Sequence, residues 1–297
     1  MELGASFPSL EIGNDPAAIR DYAQGVEALG YSYITQIDHV IGADTSTRPD
    51  WDHAAFPYTI KSATHEPFTL FGFLAGCTTR VILAAGIIVL PQRQTVLVAK
   101  QAAEVDLLSR GRMRMGAGIG RFWLEYESLG ANFKDRASRM TEQIAVLRAL
   151  WSQQVVHIEG KWHKIIDQGI NPLPLQRPIP IWMGGGRTDN ALRRIARLGD
   201  GWTLSPLTSP VPDEQAAADI ARFKRYLADN GRATAGFPIE APFIPAKVPE
   251  NRWLELHKQW EALGVTHLGV RSAGNGFTRP EQHLELLRRY AQAVRKS

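Results

Sequence analysis

The sequence predicts an α/β protein folded as a (β/α)8 TIM barrel, and three observations lead there. Short apolar runs alternate with longer stretches of helical period across all 297 residues, giving eight strand–helix units. Parallel strands need crossover connections, which are nearly always right-handed, and eight such units close naturally into a barrel of about 250 residues. No composition break or internal repeat divides the chain, so one domain over 1–297 is expected. A doubly wound open sheet is the rival architecture. Its GxGxxG fingerprint belongs at the first strand–helix turn, but that turn reads FPSLEIGNDP.

The elements follow in order. Leu3–Phe7 is the first strand. Asp15 caps a helix with Pro16 in its first turn, and Ile19, Tyr22, Ala23, Val26 and Leu29 recur on one face until Gly30. Tyr31–Ile37 is the second strand, followed by a polar loop from Gly42 to Glu66 and a helix over 67–76. Val81–Leu90 reads as one buried third strand, 95–108 as a helix and 112–117 as the fourth strand. Met140, Ile144, Leu147 and Trp151 mark a long helix. An excursion hairpin near 155–168 turns at Gly160. Strands over 179–183, 201–204, 237–244 and 267–271 then alternate with helices, the seventh strand being interrupted by Pro238 and Pro242.

Composition narrows the function classes. Apolar residues make up 44% and charged residues 22%, which excludes wholesale disorder. Cys77 is the only cysteine, so neither a disulfide framework nor a multi-cysteine metal site is available, and no metal is expected. The N-terminus has neither a basic start nor a long apolar run, so a cytoplasmic protein is expected. The longest apolar stretch is about 11 residues, against roughly 20 for a membrane span. A net charge of +4, from 34 basic and 30 acidic residues without a dense basic stripe, argues against nucleic acid. It suits an anionic small molecule.

A barrel carries its chemistry at the C-terminal ends of its strands, which leaves eight short windows. The second strand ends in Asp38-His39, a carboxylate beside an imidazole that can act as acid or base near neutral pH. A loop-capping Asp next to a hydrogen-bonded His would look the same. The third strand carries Ala84-Ala85-Gly86-Ile87, whose small residues either let a flat ring approach or pack tightly inside a barrel. The fourth ends in Gly116-Ala117-Gly118-Ile119-Gly120, alternate glycines that either expose N–H groups or make a loose turn. The fifth ends in Gly184-Gly185-Gly186-Arg187 before a helix start, either the best phosphate candidate in the chain or a loose turn.

Taken in order, these windows resemble the luciferase-like superfamily, and within it the coenzyme F420-dependent oxidoreductases. The matching stretches are LGYSYITQIDHV, the run from HEPFTLFGFLAG to MRMGAGIG, EYESLGANFKDR and PIPIWMGGGRTDNALRRIARLGDGW. The resemblance implies a deazaflavin, F420, at the strand C-termini, and a non-prolyl cis peptide at Gly86-Ile87, next to Ala85, behind the ring. It implies His39 as acid/base with Asp38 touching the ring or its partner. Gly118, Ile119 and Gly120 would contact the cofactor, and Gly184, Gly185 and Gly186 would receive its phosphate. A small organic substrate and a homodimer are further implications. The alternatives are an FMN-dependent monooxygenase of the same superfamily and a non-catalytic cofactor-binding barrel. The sequence departs from sugar-phosphate dehydrogenases in lacking an obvious lysine and arginine set for a phosphate, and Arg121-Phe122-Trp123 follows the fourth-strand glycines where relatives vary and sometimes place an acid.

Overall fold

Eight parallel strands close on one another in the computed structural model, which describes residues 1–52, 56, 58–205 and 211–295. They are β1 (Glu2–Ser6), β2 (Tyr33–Gln36), β3 (Ile82–Ala85), β5 (Met113–Gly118), β8 (Ile181–Gly185), β9 (Gly201–Leu204), β10 (Ile239–Phe243) and β11 (His267–Arg271). The order runs β3-β2-β1-β11-β10-β9-β8-β5, and pairing of β3 with β5 closes the circle. A two-residue strand, β4 (Ile88–Val89), continues the line of β3 against β5. The predicted (β/α)8 barrel is therefore present. Among the described residues no helix is long and apolar enough to cross a membrane.

Crossover helices cover the outside: α1 (Pro16–Ala28), α2 (Pro67–Cys77), α3 (Thr95–Leu108), α5 (Arg136–Ser152), α6 (Asp189–Leu198), α7 (Glu214–Asp229), α8 (Trp253–Ala262) and α9 (Pro280–Arg295). Their starts follow the capping logic of the sequence. Asp15, Glu66, Thr188 and Asp213 each accept a backbone N–H from the first turn of α1, α2, α6 and α7. The hairpin is β6 (Val156–Glu159) with β7 (Lys164–Gln168), antiparallel as expected. Glu142 of α5 holds its turn by accepting the N–H groups of Lys161, Trp162 and His163.

Alternation along the strands sorts side chains to two faces. Met113, Met115 and Ala117 of β5 face the helices and are buried there, while Arg114, Gly116 and Gly118 face the barrel interior. The lower interior is filled by large groups. The Arg114 guanidinium lies 4.2 Å from the Tyr33 ring and 4.0 Å from the Trp182 ring, and it donates to Glu240 at 2.7 Å. Gly4 and Gly201 leave room for those rings, since an added Cβ would lie 2.0 Å from Tyr33 and 2.4 Å from Trp182. Above this plug the inward residues are small, including Ser6, Thr35, Gly86, Thr203 and Gly269, and a cavity opens toward the strand ends.

Three expectations are corrected. The third strand is not continuous over Val81–Leu90: it stops at Ala85, breaks at a cis Gly86-Ile87 peptide and resumes for two residues before a 3-10 turn at Leu90–Gln92. A run of apolar residues does not reveal where its ladder is interrupted. Gly184 and Gly185 belong to β8 rather than to the turn after it, because their pairing with β9 continues. A short helix, α4 (Trp123–Ser128), follows the fourth-strand glycines in a segment that carried no helical period long enough to read.

Candidate functional site

The break between β3 and β4 organises the mouth of the barrel. Gly86 lines the cavity together with Thr35, Ile37 and Tyr58. Ile87 turns its side chain toward Gly118 and Gly184, where an added Cβ would lie 2.5 and 2.8 Å from it. Gly116 is equally constrained, because a Cβ there would meet the Ala85 carbonyl oxygen at 1.9 Å. Gly120, at a φ of +57°, faces Val89. The alternate glycines of β5 thus stand in register with the broken strand, and their spacing is accounted for by close strand packing. Ile119 is held separately, its carbonyl accepting the Tyr126 hydroxyl at 2.6 Å.

Asp38 secures the break from the other side. Its Oδ2 accepts the Val89 N–H at 2.8 Å and Arg93 Nε at 3.0 Å, and its Oδ1 accepts Arg93 Nη2 at 2.5 Å. Its side chain is wholly buried, so the structure places it on β4 and Arg93 rather than on the cavity surface. Arg93 also bonds Glu66 at 3.1 Å, which joins the HEPF and PQRQ segments. Burial alone would lower the Arg93 pKa, but Asp38 and Glu66 outweigh it and the group is raised.

His39 sits one layer back from the cavity. Its Nδ1 lies 3.2 Å from Glu125 Oε2, and the Tyr58 ring stacks over the imidazole at 3.7 Å between centroids. Glu125 is almost completely buried and also accepts the N–H groups of Val40 at 2.6 Å and Ile41 at 3.3 Å. A buried carboxylate with three donors is well compensated. Because a carboxylate only accepts, the contact assigns the hydrogen to Nδ1 and leaves Nε2 as the exchangeable nitrogen. Glu125 is a site residue that the sequence pattern alone does not single out. The signal was present: it opens the matching stretch EYESLG, two residues beyond Arg121-Phe122-Trp123.

The three glycines of the fifth window divide by environment. Gly184 faces Ile87, Gly185 faces Ile195 and Ala191 of α6, and Gly186 is exposed with nothing within 4 Å of an added Cβ. Gly186 lies two residues before the Thr188 cap of α6, so backbone can be approached there beside a helix N-terminus. Arg187 and Arg222 flank the buried Asp219 at 3.0 and 2.8 Å. Residues 53–55 and 57 of the polar loop from Gly42 to Glu66 lie outside the described residues.

A larger cavity, about 770 Å³, lies at the opposite end among Met1, Glu2, His257 and Arg295. It is framed by strand beginnings, the end of a barrel associated with stability. The mouth cavity is about 120 Å³, below the roughly 300–1,000 Å³ of small-molecule sites. The Tyr58 ring both lines it and covers His39.

Several known proteins are similar to this chain in sequence or in fold. An uncharacterised protein of Mycobacterium tuberculosis is 33% identical over 225 residues, 73% of each chain. An F420-dependent glucose-6-phosphate dehydrogenase of Amycolatopsis mediterranei is 28% identical over 193 residues, 63% of this chain and 53% of the relative. Among solved structures, the monooxygenase RslO1 of Streptomyces bottropensis superposes with a TM-score of 0.78 over 100% of this chain and 99% of that one, at 18% identity, which shows a shared fold. The model of one family, described as luciferase-like monooxygenase, spans residues 3–296, essentially the entire barrel. The chain belongs to the luciferase-like monooxygenase family.

Proposed function

We propose that this protein is an F420-dependent oxidoreductase that moves a hydride between the deazaflavin and a small organic substrate. The observation that carries the reading is the strand break at Gly86, which opens bare backbone onto the mouth cavity with the His39–Glu125 pair directly behind Tyr58. The choice of F420 over FMN is supported by the HEPF and PQRQTVLVAKQ stretches, joined through Arg93 and Glu66, and by the F420-dependent relative.

The residues present fit a flat ring with an anionic arm. Gly86 offers a wall without a side chain, and Gly186 offers exposed backbone at the start of α6. Ala85, Ile87, Gly118 and Gly120 build the wall, with Ile119 behind it, while Gly184 and Gly185 make space beside it. When bound, a deazaflavin supplies or accepts the hydride at a ring carbon. The protein's part is position and proton control. His39 gives or takes the substrate proton at Nε2, Glu125 holds the imidazole through Nδ1, and Asp38 positions the wall through Val89 and Arg93. A ring exceeds the space left by Tyr58, so Tyr58 yields its place over His39 when the site fills.

Titration of the protein with F420 and with FMN, followed by ligand fluorescence, tests this reading. We expect micromolar binding of F420. We also expect Glu125→Gln to lower turnover about 10- to 100-fold while F420 affinity changes little. Binding of FMN without F420 would replace the proposal with a flavin monooxygenase. F420 binding with no turnover across alcohols, aldehydes and activated alkenes would leave a carrier.

A further inference from the structure

The mouth cavity has an unbalanced charge. Among the described residues that line it, Arg271 is the single base and Glu240 the single acid. The two do not answer each other. Glu240 is buried in the plug and bonded to Arg114 at 2.7 Å. Its Oε1 reaches the level of Gly269, where an added Cβ would lie 3.0 Å away, two residues before Arg271 on β11, and its ion pair is with Arg114. Arg271 is the last residue of β11, level with Ser6 of β1, and faces inward. No carboxylate among the described residues forms an ion pair with it. Its charge is felt at the neighbouring Tyr58, where burial pushes the hydroxyl pKa up and Arg271, then Arg121, pull it back.

The walls around this guanidinium have a mixed character. Phe7, Leu10, Ile37 and Pro242 supply apolar surface, while Ser9 and Thr203 supply hydroxyl groups. A half-buried cation at the rim of a partly apolar pocket selects an anion on an apolar body. Guanidinium matches carboxylate geometry with two parallel N–H donors. With Arg271 as the one cation among the described lining residues, the charge balance suits a monoanion rather than a phosphate dianion.

We propose that Arg271 is the specificity-determining residue of this site and that the substrate is a carboxylate carried on an apolar, small organic body. The proposal deepens the F420-dependent reading and rests on it for the reaction, although the binding preference can be measured without turnover. Arg271 holds the carboxylate at the end of β11 and so sets which part of the substrate reaches the level of Gly86 and His39.

The test uses cinnamate and its neutral isostere cinnamamide as probes, titrated by calorimetry into the whole protein, with and without F420. We expect cinnamate to bind at least 10-fold more tightly than cinnamamide. We expect Arg271→Met to abolish that preference while leaving F420 affinity within about twofold, and Arg271→Lys to retain part of it because the charge remains but the fork is lost. Equal binding of the two probes to the unaltered protein would overturn the proposal. So would an Arg271→Met protein that loses F420 affinity and keeps the cinnamate preference, since Arg271 would then serve the cofactor. Failure of F420 to bind would refute the reading of the function alone, because the probe ratio is still read on the free protein.

Discussion

At the scale of single residues, the glycines of β5 illustrate how one pattern supports two explanations until atoms are placed. Gly116 has the Ala85 carbonyl where its Cβ would be, whereas Gly72, inside α2, has nothing within 4 Å. The two should respond to alanine in opposite directions. Gly116→Ala forces backbone apart and is expected to cost about 2–4 kcal/mol. Gly72→Ala removes a helix-interior glycine and is expected to stabilise by up to about 1 kcal/mol. Urea denaturation of both variants checks this, and similar midpoints would contradict the packing account. Glu125 carries the complementary lesson. Its residue type was visible in EYESLG, but its pairing with His39 joins positions 86 residues apart, and no local period reports such a contact.

At the scale of elements, most of the fold was legible because period and caps act locally. The helix over 95–108 and the strand over 267–271 stand where the pattern put them. The short helix α4 escaped because its six residues hold too little period to read, and the other exceptions depend on partners far along the chain. Past the break in the third strand, Asp38, two residues after β2, accepts the Val89 N–H. A comparable long-range tie joins α1 to the entry of β3. Glu27 accepts N–H groups from Thr79, Arg80 and Val81, and although burial raises its pKa, these bonds bring it down to about 2 from 4.5. A depressed carboxylate contributes stability above its unfolded pKa, which is lost as pH falls from about 4.5 toward 2. With solvent screening at this part-exposed site, about 1 kcal/mol is expected. Thermal melts of Glu27→Gln against the parent should differ at pH 6 and converge near pH 2.5. A constant difference would reject the linkage.

At the scale of the whole molecule, the polar plug in the lower barrel makes stability sensitive to acid. His267 packs against Trp182 and Tyr33, and burial, then the Arg114 charge, lowers its pKa to about 4 from 6.5. The unfolded chain binds this proton first. Stability from His267 is therefore complete above about pH 6.5 and declines as pH falls toward 4. Roughly 2 kcal/mol is expected after discounting for partial exposure. His267→Gln should flatten the pH dependence of the urea midpoint between pH 4 and 6.5, and an unchanged slope would count against this assignment. The sequence did not disclose the plug, because Tyr33, Arg114, Trp182 and Glu240 each sit in strands whose neighbours are ordinary core residues.

That stack of Tyr33, Arg114 and Trp182 also has a kinetic meaning. A tube stoppered at its base has one door. A molecule seated in the mouth cavity would therefore have the strand-end side, and not the plugged side, as its way out. The direction of approach is set by the floor of the barrel.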